Sequence, residues 1–154
     1  MLFKGVGRHP KTGKKKGGIK VHTNIHANEG VPSDVKFTSA ATNDSFMLKP
    51  TNYIEGDIVA LDRAYIDYGK FEELTSRGVI YVTKMKKNLV YQIDEDTAYM
   101  TPEGLMEYRV KHVTFTKKVA EGSDIVHKAR IVTYVDIKKN KQAKLISLLT
   151  NDME

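Results

Sequence analysis

Cysteine is absent from this chain, so disulfides, thiolate zinc sites and thiol nucleophiles are excluded together. Any metal it binds must take oxygen or imidazole ligands. Tryptophan is also absent, and there are only 4 prolines. No apolar run approaches the length needed to cross a bilayer, and the basic amino terminus lacks the apolar segment of a signal peptide, so the expected location is the cytoplasm. Acidic residues are missing from the first 28 positions, where Lys4, Arg8, Lys11, Lys14, Lys15, Lys16 and Lys20 all precede Glu29. With 40% hydrophobic and 29% charged residues, the 154-residue chain has the composition of one globular domain with a real core.

The formal charge of +6 is concentrated at the start. Cations separated by Gly5, Gly7, Gly13, Gly17 and Gly18 suit an extended arm laid along a polyanion, with nucleic acid as the partner. A solvated terminus that binds nothing is the alternative. The segment from Gly7 to Lys14 is not a phosphate loop, because no apolar strand precedes it and no Ser or Thr follows the lysine.

Beyond the arm, Ile19, Val21, Thr23 and Ile25 alternate with Lys20, His22, Asn24 and His26, the period of a half-buried strand. Residues 27 to 30 supply a turn and 31 to 38 the returning strand of an antiparallel hairpin. Asn43-Asp44-Ser45 caps one or two helical turns before Pro50. An unbroken apolar run, Ile58-Val59-Ala60-Leu61, then predicts a central strand buried on both faces and ending at Asp62. Tyr68, Phe71 and Leu74 recur at helical spacing up to Gly78, and residues 79 to 85 form the next strand.

The character changes after Lys87. Residues 89 to 93, 108 to 116, 127 to 137 and 144 to 150 are rich in Val, Ile, Thr and Tyr and predict a β-meander. Its connections are Asp94-Glu95-Asp96, Glu121-Gly122-Ser123-Asp124 and Lys138-Lys139-Asn140-Lys141. No Pro/Gly-rich linker separates the halves, which are therefore expected to share packing contacts.

Asp62 is the leading candidate site residue. A carboxylate held at the carboxyl edge of a sheet lies where open α/β folds place their ligands, and a cation compensates its desolvation. A turn or helix N-cap is the other common use of such an aspartate. His22 and His26 share a strand face but stand more than about 13 Å apart at roughly 3.3 Å per residue, so they cannot hold one ion. Lys20 and His22 face phosphate if their strand neighbours that of Asp62. Lys84, Lys86 and Lys87 either extend the basic surface or form a solvated loop. His112 and His127 have no evident carboxylate companion and are expected to be ordinary strand histidines. No serine sits in a nucleophile elbow.

Lys16-Gly17-Gly18-Ile19-Lys20-Val21-His22, Val31-Pro32 with Thr42-Asn43-Asp44-Ser45, the stretch from Ile58 through Asp62-Arg63-Ala64-Tyr65, Gly78 through Lys84, and Leu148-Leu149-Thr150-Asn151 resemble successive landmarks of bacterial DDE transposases of the insertion-sequence-four type. The resemblance implies an α/β fold: a partial ribonuclease H-like mixed sheet with a β-rich insertion. It divides the chain into a basic arm (1–18), a partial core (19–87) and the insertion with the start of the return to the core (88–154).

In that family an Asp-Asp-Glu triad binds two Mg²⁺ or Mn²⁺ ions, which stabilise the attacking and leaving oxygens of an in-line displacement on DNA. Asp62 matches the second carboxylate, as both catalytic and metal-binding residue. Lys14, Lys15, Lys16, Lys20, His22, Arg63, Lys84, Lys86 and Lys87 are the candidate contacts to transposon-end DNA, and a homodimer is one state the resemblance allows for the full-length family protein. The first Asp and the last Glu have no counterpart. Glu154 lacks the helical Tyr-Arg-x-x-x-x-x-Glu context. The expectation is thus a transposase truncated at both ends and inactive alone. A DNA-binding module without chemistry ranks second, and a protein interaction domain third.

Overall fold

A computed structural model describes residues 18–120, 122–137 and 143–154, together with the main chain of Gly7, Arg8, Lys15 and Lys16. The chain forms two compact units, Met1–Met47 and Leu48–Glu154.

In the first unit, β1 (Gly7–Arg8) pairs antiparallel with β2 (Lys15–Lys16). The expected hairpin is formed by β3 (Ile19–His26) and β4 (Val31–Ser39), also antiparallel. Gly30 closes its turn at φ +66°, donating its N–H to the His26 carbonyl at 2.8 Å. Val21 is opposite Phe37 and His22 opposite Lys36, so apolar and polar residues occupy opposite faces. Asn43 caps the following 3-10 helix, Asp44–Met47, by accepting the Ser45 N–H at 3.2 Å.

The second unit is built on a sheet ordered β5-β6-β10-β9-β8-β7. Its strands are β5 (Ile58–Leu61), β6 (Ile80–Lys84), β7 (Gln92–Met100), β8 (Met106–Lys117), β9 (Ile125–Ile137) and β10 (Ala143–Thr150). β5 and β6 are parallel and joined through helix α1 (Tyr68–Ser76); every other pairing is antiparallel. This is the mixed α/β sheet of a partial ribonuclease H-like fold. Strands β7 to β10 form the expected meander, and its last strand returns to lie beside β6. The two stretches that meet there, before and after Lys87, thereby share one hydrogen-bonded layer.

Helix α1 has well-defined ends. Asp67 Oδ1 accepts the N–H groups of Gly69 and Lys70 at 3.1 and 3.3 Å. At the other end Val79 N–H bonds to Leu74 O and Gly78 N–H to Thr75 O, each at 3.0 Å, with Gly78 at φ +70°. This is a Schellman closure, and glycine takes its left-handed position without strain. The helix buries Phe71 and Leu74 completely against Tyr81, Phe115, Ala129 and Leu149. Each such side chain contributes about 1.5–3 kcal/mol on leaving water.

Two local expectations are corrected. β5 is an edge strand among the described residues, paired to β6 alone, and Ile58 is 71% exposed. An apolar run of four residues does not distinguish a strand covered on both faces from one covered on one. Asp94, Glu95 and Asp96 lie inside β7 instead of forming a turn. They are held there by β8: Arg109 forks onto Asp96 with two bonds of 2.6 Å, and Thr114 donates to Asp94 at 2.6 Å. The connection Lys138–Lys141 lies outside the described residues.

Candidate functional site

Asp62 follows the last residue of β5, and both it and Arg63 are exposed. The β5–β6 ladder pairs Leu61 with Thr83, so Asp62 leaves the strand alongside Lys84, at the carboxyl rim of the two parallel strands. The core beneath this rim is firm: Tyr81 and Thr83 on β6 are buried, and Val59 and Leu61 on β5 pack against the same cluster. Asp62 is therefore projected from a rigid support into solvent.

One carboxylate oxygen has a local task. Oδ1 accepts the Ala64 N–H at 2.8 Å and caps the 3-10 helix Arg63–Tyr65. Oδ2 has no protein partner among the described residues. Capping and cation binding are thus compatible, since a carboxylate offers about four lone-pair sites. A hard divalent cation that keeps most of its waters fits a single exposed carboxylate as one ligand of several. The described residues contain no group of three His, Cys, Asp or Glu side chains able to enclose an ion. Asp62 accordingly fits a cation only as one ligand of several.

The rim brings some of the expected cations together. Arg63 begins the capped 3-10 helix, Lys84 is exposed at the end of β6, and half-buried Lys86 and exposed Lys87 follow at once. Met85 N–H bonds to Ser147 O at 2.9 Å, tying this segment to β10.

The remaining candidates belong to the first unit. Lys20 Nζ donates to Thr42 O at 2.8 Å and to Asp44 Oδ1 at 2.9 Å, and His22 Nε2 lies 2.9 Å from Thr38 Oγ1. Both side chains already serve the hairpin and the turn behind it. Among the described residues β3 is hydrogen-bonded only to β4. Lys15 and Lys16 contribute main chain to β2, and Lys14 lies outside the described residues.

Two features escaped the sequence reading. His112 and His127 do have carboxylate companions, Glu95 at 3.2 Å and Glu72 at 2.8 Å. His127 is fully buried and also meets the Tyr81 hydroxyl at 2.7 Å. Burial pushes the Tyr81 phenol well up and the His127 imidazole down, with Glu72 opposing the latter shift. The alternation Ile125, His127, Ala129, Ile131 held the signal for His127, since it places the ring on the inward face of its strand. Asn151, after β10, bonds at once to Tyr81 N–H, Val79 O and Thr75 Oγ1. Its signal was a polar amide directly after an apolar strand.

A parallel strand pair joined by a helix and continued by an antiparallel β-meander in one mixed sheet is the arrangement of a partial ribonuclease H-like fold. The chain matches the transposase DDE domain over residues 3–151 and belongs to that family. Its members act on DNA and use divalent metal ions. Comparison with curated proteins gave no match. No helix among the described residues is long and apolar enough to cross a membrane.

Proposed function

We propose that the chain is part of a DNA transposase of the insertion-sequence-four type, in which Asp62 is the second of three metal-binding carboxylates. The observation that carries this reading is Asp62 itself, exposed with a free oxygen at the carboxyl rim of two parallel strands in a DDE-family chain. Asp62 would hold Mg²⁺ or Mn²⁺ as one ligand of several, and the ion would supply charge stabilisation at the phosphorus being displaced. Arg63, Lys84, Lys86 and Lys87 hold the phosphate backbone beside it. The chain alone does not cut DNA, because one carboxylate lacks the ligand number two ions require.

Two measurements test this. Substoichiometric Mn²⁺ added to ¹⁵N-labelled protein broadens amides centred on Asp62, and the effect disappears in Asp62→Asn; broadening centred elsewhere refutes the assignment. Incubation with Mg²⁺ and DNA bearing transposon-like ends gives no cleavage, whereas cleavage abolished by Asp62→Asn would overturn the proposed inactivity.

A second reading, DNA binding without chemistry, is favoured by the net charge of +6 and by the cations gathered at the rim. Such binding is independent of sequence and weakens steeply with salt. A titration at two salt concentrations decides it, since an unchanged affinity eliminates the reading.

A further inference from the structure

We propose that His127, Tyr81 and Glu72 form a proton-sensitive latch, which keeps helix α1 docked on the sheet while the His127 ring is neutral and releases it when the ring becomes charged. The three residues come from β9, β6 and α1, so the network spans the interface between the helix and the sheet.

The hydrogen bonds have a direction. Glu72 Oε2 lies 2.8 Å from His127 Nδ1, and an ionised carboxylate only accepts, so Nδ1 carries the hydrogen. In the neutral ring Nε2 is then an acceptor, and the Tyr81 hydroxyl, 2.7 Å away, must donate to it. Every polar atom of the buried ring is satisfied in this one arrangement.

A proton arriving at Nε2 upsets it, because two donors then face each other and the Tyr81 O–H must turn away. The surroundings give it little to turn to. Phe71 and Tyr81 have their ring centroids 6.0 and 5.7 Å from that of His127, and the register partner on β8 is Phe115. The titratable groups on this side are Glu72 and Tyr68 from α1 and Tyr81 from β6, whereas β8 and β10 present Phe115, Val113 and Leu149. Only Glu72 favours the charged ring, and its side chain is 50% exposed. A solvent-screened pair of that kind is worth at most about 1 kcal/mol, against several for placing an unsolvated charge in an apolar interior. Desolvation wins.

The least costly relief is to let water reach the ring by lifting α1. The helix has nine residues. At that length it does not persist without the sheet, so release also melts it. Because α1 begins directly after the Asp62–Ile66 turn, melting frees the segment that aims Asp62. The latch stands independently of whether Asp62 binds a cation.

The test uses the full ¹⁵N-labelled chain. Long-range ¹H–¹⁵N spectra at pH 7.5 should show His127 protonated at Nδ1 only. As the pH falls from the ordinary imidazole value of 6.5 toward the lowered pKa of the buried His127 ring, amide exchange from Phe71 to Thr75, corrected for its intrinsic pH dependence, should accelerate by up to about tenfold per pH unit while β8 and β9 amides keep their protection. Glu72→Gln removes the charge that favours the imidazolium, so the midpoint moves to lower pH; Tyr81→Phe frees Nε2 and moves it higher. A ring protonated at Nε2 at neutral pH, an α1 exchange profile without that acceleration, or loss of protection in α1, β8 and β9 together would overturn the latch. Should a variant not fold, the tautomer and exchange profile of the unaltered chain still decide.

Discussion

Asn151 Oδ1 accepts the main-chain N–H of Tyr81 at 2.8 Å, and its amide nitrogen donates to Val79 O and Thr75 Oγ1, both at 2.9 Å. The last paired residues of β10 and β6 at this end are Thr150 and Val82. The side chain therefore continues a ladder whose main chain has stopped, and it fastens the end of α1 at the same time.

Removing that amide in Asn151→Ala leaves the Tyr81 N–H and Val79 carbonyl without partners in a buried setting. Unfolding in urea should show a loss of about 1–3 kcal/mol. Asn151→Asp keeps the acceptor but aims a carboxylate oxygen at the Val79 carbonyl, so it does not restore stability. A change within error for both variants would assign the ladder's integrity to main chain alone.

Thr83 is 2% exposed, and its Oγ1 has no hydrogen-bond partner among the described residues. Thr83→Val keeps the branched shape and removes an unsatisfied hydroxyl from the interior. The expected outcome is a gain of about 1 kcal/mol in denaturant unfolding. Destabilisation would show that the hydroxyl is satisfied by solvent within the sheet.

Asp62 separates into a capping oxygen and a charge. Asp62→Asn keeps an acceptor for Ala64 N–H and leaves stability unchanged, while Asp62→Ala loses the cap of a three-residue 3-10 helix and costs about 0.5 kcal/mol. Thermal unfolding of the two variants without divalent ions checks this. Equal stabilities would show that the turn is held without its cap.

Tyr81 gives the chain an alkaline limit. Burial, and the Glu72 and Tyr68 charges behind it, raise its phenol above the ordinary value of 10.0 in the folded state. The neutral phenol is favoured by the fold, so this contribution is fully present below pH 10 and is lost as pH climbs from there toward the folded pKa. Absorbance at 295 nm should show Tyr81 un-ionised until the protein unfolds, and Tyr81→Phe should flatten the fall in stability above pH 10. Ionisation of all 8 tyrosines in still-folded protein would contradict the buried position.

The sequence revealed those parts of the fold that short-range chemistry decides. Alternation gave the Ile19 hairpin, Asn43 its cap, and Gly78 the end of α1, each through contacts within a few residues. The exposed rim position of Asp62 was legible for the same reason, as the polar residue that closes an apolar strand. Pairings made across long separations were not. Asp94 to Asp96 looked like a turn because their partners all lie across on β8: Thr114 for Asp94, His112 for Glu95, and Arg109 and Lys111 for Asp96. The burial of Ile58 was overestimated because an edge strand and an inner one share the same local apolar run. Glu72 and His127 meet across 55 positions, which no local period connects.

Strand β10 comes back beside β6 and pairs Leu149 with Thr83. Everything between these two residues is consequently an excursion whose ends are fastened together, two positions along the sheet from where Asp62 departs. The exposed strand β7 at the far margin can thus be recharged, changing what the molecule meets, while Val113 and Phe115 of β8 stay in the core beneath the rim where that aspartate stands.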